Sequence, residues 1–64
     1  MEVLKVSWST SMGSCIGFIK ARDVLTDEVF IYVGVGDGVS EQADIAKILA
    51  MGNKYEVETF LHMI

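Results

Sequence analysis

A shortage of cross-linking residues most constrains how this chain can fold. Its 64 residues include one cysteine, Cys15, and one histidine, His62. A single chain can therefore form neither an internal disulfide nor a zinc site built from His and Cys. A core of this size rarely supplies more than about 3–5 kcal/mol, and chains this small often gain stability by association. We expect one domain, 1–64, that assembles as a homo-oligomer.

Composition excludes several classes of protein. The chain is 52% hydrophobic and 22% charged, which predicts a folded domain and not a disordered one. Its net charge of −4 argues against general nucleic-acid binding and against adhesion to an anionic membrane. The uncharged runs are too short to span a bilayer, and no basic segment precedes an apolar one at the N-terminus. We therefore expect a cytoplasmic protein.

Three segments have the composition of β-strands: 3–8, 15–21 and 29–35. The last is the clearest, because it is rich in β-branched and aromatic residues. Polar turns separate the three segments, and parallel strands would need connections of a dozen or more residues. The sequence predicts an α+β fold that begins with a three-stranded antiparallel meander.

A helix is predicted over 40–52. Ser40 suits the N-cap, and Glu41 and Asp44 lie where carboxylates favour the positive end of the helix dipole. Gly52 is expected to end the helix in a left-handed conformation. The apolar stripe at helical spacing consists of Ile45, Ile48 and Leu49.

The segment 55–63 fits two structures. Its apolar residues recur at helical spacing from Val57 to Ile64, which favours a short second helix. Tyr55, Val57 and Thr59 also alternate with glutamates, as in a strand. Both alternatives remain open.

Alternation along the strands also predicts an interface. Helices on one side of a three-stranded sheet leave its other face open, and an open apolar face is unusual in a monomer. Sheet-to-sheet association would bury it, unless the N-terminal segment or the tail folds back across it. The residues predicted to form this interface are Ile16, Phe18, Phe30 and Tyr32.

A glycine-rich loop precedes the predicted helix. Gly34, Gly36 and Gly38 lie between a strand and a helix N-terminus, where free N–H groups bind anions. The spacing differs from the dinucleotide-binding fingerprint, and Asp37 inside the loop would repel a phosphate. The pattern predicts either a loop that contacts a ligand or a flexible turn.

A second group of residues has the chemistry of a nucleotide site. The indole of Trp8 can stack on a base, and the cations of Lys20 and Arg22 can bind phosphate. The alternative is that Trp8 belongs to the core and both cations are solvated. The full set of predicted ligand-binding residues is Trp8, Thr10, Lys20, Arg22, Gly34 and Gly36.

No catalytic, metal or cofactor site is expected. Cys15 and His62 have no motif around them, and no serine lies in a G-x-S-x-G setting. The acidic residues lack the spacing of a calcium-binding EF-hand loop. We therefore do not expect an enzyme.

The positions of the glycines and of the residues around them resemble a known group of proteins over most of the chain. Its elements are Trp8-x-Thr10-x-x-Gly13, Ile16-Gly17-Phe18-Ile19, Tyr32-Val33-Gly34-x-Gly36-x-Gly38, Glu41-x-x-Asp44 and Ile48-x-x-x-Gly52. This order is similar to short uncharacterised proteins of Gram-positive bacteria and their phages. Small phage proteins of this build include oligomeric sponges that sequester nucleotide signals of host immunity.

Two functions are therefore expected as alternatives. The resemblance implies a non-enzymatic, oligomeric protein that sequesters a cyclic or linear nucleotide and so acts against host defence. The alternative is a protein-interaction module, such as a phage inhibitor of a host protein, that uses the exposed aromatic face of its sheet.

Overall fold

The chain forms an α+β fold in which a four-stranded antiparallel sheet carries one helix on each face. The computed structural model describes residues 1–11 and 13–64. The strands lie side by side in the order in which they occur along the chain. The elements in chain order are β1 (Glu2–Ser11), β2 (Ser14–Arg22), β3 (Val29–Gly36), α1 (Glu41–Met51), β4 (Asn53–Glu56) and α2 (Val57–Met63). No helix among the described residues is long and apolar enough to cross a membrane.

The sequence predicts three strands, and the structure has four. The predicted meander and the helix between Ser40 and Gly52 are confirmed. The tail contains both structures expected for it, because β4 ends at Glu56 and α2 begins at Val57. The alternating pattern is correct for the first part of the tail and the helical spacing for the second.

α1 covers one face of the sheet, which we call the α1 face. In antiparallel strands, residues directly opposite each other point to the same side. Trp8, Gly17 and Gly34 form one such row across three strands. The helix lies over this row, and the buried hydrophobic residues beside it form the core: Ile19, Ala21, Tyr32 and Ile48.

Glycines allow α1 to approach the sheet closely. A Cβ on Gly34 would lie 2.9 Å from Cγ1 of Ile48, and one on Gly17 would lie 2.6 Å from its Cδ1. Ile48 therefore occupies the space that a side chain would fill at Gly34, and it shares that space at Gly17 with the indole of Trp8. Ile48 is only 1% exposed.

Gly52 ends α1 for a different reason from the predicted one. Its backbone is extended, with φ −75° and ψ 170°, and not left-handed. A Cβ at this position would lie 2.8 Å from the carbonyl oxygen of Val33 and 2.6 Å from that of Ile48. Glycine is favoured here because the chain passes close to β3, and not because of its backbone conformation.

The opposite face of the sheet, which we call the α2 face, is covered less completely. Phe60 of α2 packs against Phe18 of β2 and Tyr55 of β4, with ring centroids 5.9 and 6.2 Å apart. No residue of α2 is buried. A seven-residue helix therefore leaves much of this face open.

The prediction that four apolar residues share one open face is wrong. Ile16 and Phe18 lie on the α2 face, whereas Phe30 and Tyr32 lie opposite Ala21 and Ile19 on the α1 face. Tyr32 is only 6% exposed. The numbers of opposite residues in β2 and β3 sum to 51. Even-numbered residues of one strand therefore share a face with odd-numbered residues of the other. Alternation within each strand shows which residues of that strand share a face, but not which face of the next strand matches it, because the turn between the strands sets the register.

Candidate functional site

The structure separates the six residues predicted to bind a ligand. Trp8 and Thr10 line a cavity on the α1 face, and Gly36 lies next to it against Asp44. Gly34 lies beneath Ile48, further along the sheet. Lys20 is on the α2 face, opposite Lys5. The predicted pairing of an indole with nearby cations is therefore not formed.

Arg22, the sixth of these residues, is held in ion pairs. Its guanidinium donates hydrogen bonds to Glu2 on β1 and to Asp27 in the turn after β2. These hydrogen bonds, with Glu2 as the larger cause, raise the pKa of Arg22 above its usual value. Arg22 joins the start of β1 to the turn between β2 and β3, which is a structural role.

The cavity beside Trp8 is acidic. It has a volume of about 340 Å³, and two carboxylates, those of Glu41 and Asp44, line it. The Trp8 Nε1–H donates to Oε1 of Glu41 over 3.0 Å. Asp44 is 5% exposed. The remaining residues that line the cavity are Thr10, Cys15 and Gly38.

Asp44 occupies the position where the sequence predicts an anionic ligand. Its Oδ1 accepts from the N–H of Asp37, and its Oδ2 accepts from the N–H of Gly38, each over 3.2 Å. A Cβ on Gly36 would lie 2.6 Å from this carboxylate. The loop therefore binds an anion that belongs to the chain itself, and a second anion at this point would be repelled.

The side chain of Asp37 caps the turn that follows it. Its Oδ1 accepts from the N–H of Val39 over 2.8 Å. This bond is the largest cause that lowers the pKa of Asp37, with smaller contributions from Ser40, Asp44 and the charge of Lys47. The carboxylate of Asp37 is thus stabilised as an anion and adds to the negative character of this end of the molecule.

The described part of the chain does not bring residues together for metal or thiol chemistry. No group of three or more His, Cys, Asp and Glu side chains within it could hold a metal ion. Cys15 lines the acidic cavity on the α1 face, while His62 belongs to α2 on the other side of the sheet. These two residues are not placed to act together.

A larger depression lies on the α2 face, and we call it the groove. It has a volume of about 480 Å³ and lies between β1, β2 and α2. Phe18 and Ile31 form part of its floor, and Phe60 and Leu61 belong to its helical wall. The other residues that line it are Lys5, Ser7, Lys20, Val57 and Ile64.

Two lysines mark the groove on the sheet side. Lys5 and Lys20 lie directly opposite each other on β1 and β2, and both are exposed. Neither forms an ion pair with any residue in 1–11 or 13–64. Like charges directly opposite on adjacent strands are destabilising. An anionic group bound between the two ammonium groups would relieve this repulsion.

Lys5 is not among the residues predicted from sequence to bind a ligand, although its pairing with Lys20 follows from the hairpin. From Ser11–Ser14 to Lys5–Lys20, the numbers of opposite residues sum to 25. A hairpin with this register therefore places the two lysines opposite each other. The groove itself could not be inferred, because it depends on where α2 packs.

Comparisons with known proteins give this chain no relative. No protein-family model, no curated protein sequence and no solved structure matches it.

Proposed function

We propose that this chain is a protein-interaction module whose groove binds an acidic, amphipathic segment of another protein. The observation that carries the proposal is that Lys5 and Lys20 lie opposite each other beside an apolar depression, and that neither forms an ion pair within the described residues. An apolar stripe on the partner would fill the groove, and its carboxylates would reach the two ammonium groups. An amphipathic helix that lies with its apolar face in a hydrophobic groove is a recurring mode of peptide recognition.

The distribution of charge supports an acidic partner at this place. The chain as a whole carries −4, so an acidic segment is repelled by most of the surface. The other basic residues lie elsewhere. Arg22 is bound to Glu2 and Asp27, Lys54 lies 4.1 Å from the ring centre of Phe30, and Lys47 is on α1. The groove is thus where an acidic segment meets two cations together.

Sequestration of a nucleotide is a second candidate, with a different site from the one expected from sequence. The same two lysines would bind phosphate, and the rings of Phe18 and Phe60 offer a surface on which a base can stack. The acidic cavity beside Trp8 does not support this function, because Asp44 already accepts the loop N–H groups there. The open, largely apolar groove supports a protein segment better than a polyanion.

Fluorescence anisotropy with two labelled peptides tests the leading proposal. Both peptides carry the same leucine and phenylalanine stripe, and their polar faces are either all glutamate or all lysine. We expect the acidic peptide to bind about tenfold more tightly than the basic one, since two exposed ion pairs contribute up to about 1 kcal/mol each. Equal binding of the two peptides would contradict the proposal.

A matched pair of double variants locates the binding site. Lys5→Gln with Lys20→Gln removes both groove cations, whereas Lys47→Gln with Lys54→Gln changes the net charge equally elsewhere. The first variant should lose about tenfold in affinity for the acidic peptide and the second less than about twofold. Equal losses would mean that the overall charge, and not the groove, attracts the peptide.

Thermal shift with cyclic and linear nucleotides separates the two candidates. A nucleotide present at 100 times its Kd should stabilise the fold by about 2.7 kcal/mol. A protein-interaction module should show no such shift. A shift that disappears in the Lys5→Gln, Lys20→Gln variant would favour the nucleotide function at the groove.

A further inference from the structure

The two edges of the sheet differ in their protection against pairing with another strand. β4 is a four-residue edge strand that includes Lys54 and Glu56. Short and charged edges resist the addition of a further strand. β1 is ten residues long and, within the described part of the chain, pairs only with β2. The long edge at β1 is therefore the one open to a further strand.

The protection that β1 has is confined to its first half. The register is irregular between Val3 and Lys5, and Lys5 adds a charge. Bulges and lysines both hinder edge-to-edge pairing. From Val6 to Ser11 the register is regular and no residue is charged. This second half offers an unhindered row of backbone N–H and C=O groups.

The unprotected half of β1 is nearly symmetric in sequence. Ser7 and Ser9 flank Trp8, and Val6 and Thr10 come next on either side. Valine and threonine are both β-branched and similar in size. Two copies of one strand that pair about a twofold axis must be complementary to themselves. An axis at Trp8 would place serine opposite serine, and valine opposite threonine.

The surface area of the chain is consistent with a missing partner. Its accessible surface is 4557 Å². A folded monomer of 7.0 kDa has about 4,000 Å² by the usual scaling with mass, so this chain exposes about 500 Å² more. Two copies would together have about 1,000 Å² of excess surface, which is the lower bound for a specific interface.

We propose that two copies of this chain associate through their β1 strands, antiparallel about a twofold axis at Trp8. The two four-stranded sheets then form one continuous sheet. Residues opposite each other share a face, so both α1 helices lie on one side of it and both grooves on the other. This assembly does not depend on what the groove binds.

Charge substitutions on either side of Trp8 test both the dimer and its register. In the proposed pairing, residue 7 of one copy lies opposite residue 9 of the second. The S7K/S9K variant therefore places lysine opposite lysine twice, whereas S7E/S9K places glutamate opposite lysine twice. Within one chain both positions face apolar residues, Phe18 and Ile16.

Sedimentation equilibrium gives the readout. Since the population of a dimer depends on protein concentration, the wild type and both variants are measured from about 1 to 500 µM. We expect a wild-type dimer, a dimer Kd raised at least about tenfold in S7K/S9K, and a Kd within about threefold of wild type in S7E/S9K. A monomeric wild type over this whole range would overturn the proposal, as would equal weakening by the two variants.

Cross-linking keeps the test informative if the charged variants fail to fold. Two chains are prepared in a Cys15→Ser background, one carrying Ser7→Cys and the other Ser9→Cys. After mild oxidation of an equimolar mixture, mass spectrometry should find mainly the mixed 7–9 dimer and little of either homotypic dimer. Absence of this preference would overturn the proposed axis.

Discussion

The two helices cover their faces of the sheet to very different extents. α1 has eleven residues, with Ser40 and Gly52 as its caps, and it buries Ile48 almost completely. α2 has seven residues, and none of them is buried. The α1 face therefore holds most of the core, whereas the α2 face retains an apolar groove.

The strand residues beneath each helix explain the difference. Gly17 and Gly34 lie under α1, so the helix can approach the sheet until Ile48 fills the space between them. Under α2 the corresponding surface consists of larger side chains, and Phe18 holds Phe60 at a ring separation of 5.9 Å. Small residues thus favour a close and stable contact, and large rings favour a contact that leaves space for a ligand.

Truncating the central residue of the α1 face should have the largest effect. Ile48→Ala removes a buried side chain that contacts two strands, and such changes cost about 2–5 kcal/mol. This is comparable with the total stability of a domain of this size, so most of the variant should be unfolded near 37 °C. Urea unfolding followed by circular dichroism measures the loss. The control is Leu61→Ala in the wall of the groove, where the side chain is 58% exposed and we expect a loss of less than about 1 kcal/mol. Similar losses of stability in the two variants would contradict the conclusion that the α1 face holds most of the core.

Replacing the buried carboxylate on the α1 face should have the next largest effect. Asp44→Asn keeps one acceptor but directs an N–H towards a loop N–H, which leaves a donor without a partner. Losing such a bond costs about 1–3 kcal/mol, measured by the same unfolding experiment. Glu41→Gln is the control, since an amide oxygen can still accept from Trp8 and little change is expected. If Asp44→Asn were as stable as wild type, Asp44 would not hold the loop.

Truncating the aromatic anchor of α2 should cost less. Phe60→Ala removes two aromatic pairs, with Phe18 and Tyr55, and each contributes about 0.5–1.5 kcal/mol beyond the area that it buries. Because Phe60 is only partly buried, the total should stay below the loss in Ile48→Ala. We expect a small shift in the urea midpoint together with a loss of affinity for the acidic peptide. A loss of stability as large as that of Ile48→Ala would show that α2 belongs to the main core.

The smallest effect concerns acid stability at the loop before α1. Hydrogen bonding lowers the pKa of Asp37 below its ordinary value of 3.8. The stabilisation from the ionised carboxylate is therefore present above that value and is lost as the pH falls through the lower pKa of the folded state. The difference in melting temperature between wild type and Asp37→Asn should shrink between about pH 6 and pH 2.5 at constant ionic strength. If the difference in melting temperature stayed constant over this pH range, the ionised carboxylate of Asp37 would not be the source of the stabilisation.

Local patterns in the sequence predict the first three strands and α1 well. Ser40 caps the helix through its hydroxyl, and Gly52 follows its last turn, so both boundaries agree with the structure. These features act over three or four residues and need no information about the rest of the chain. The same is true of the strand from Val29, where β-branched and aromatic residues are concentrated.

The candidate site could be predicted only in part. Trp8, Thr10 and Gly36 do lie near one cavity, but the sequence could not show that Asp44 reaches back to the loop N–H groups. The sequence groups Lys20 with Trp8 by chemistry, because nothing local distinguishes the two faces of an apolar strand. The hairpin register, once known, pairs Lys20 with Lys5 on the opposite face.

Local sequence patterns are enough to predict the α+β class, the order of the first four elements and the excess of apolar residues over what a small core can hold. These properties depend on composition and on contacts between near neighbours along the chain. Two further features follow from tertiary packing and not from local pattern. These are the choice of apolar residues that share a face and the position of the two helices on opposite sides of the sheet. Those outcomes depend on the register set by each turn and on the packing of side chains distant in sequence, such as Ile48 over Gly17 and Phe60 against Phe18.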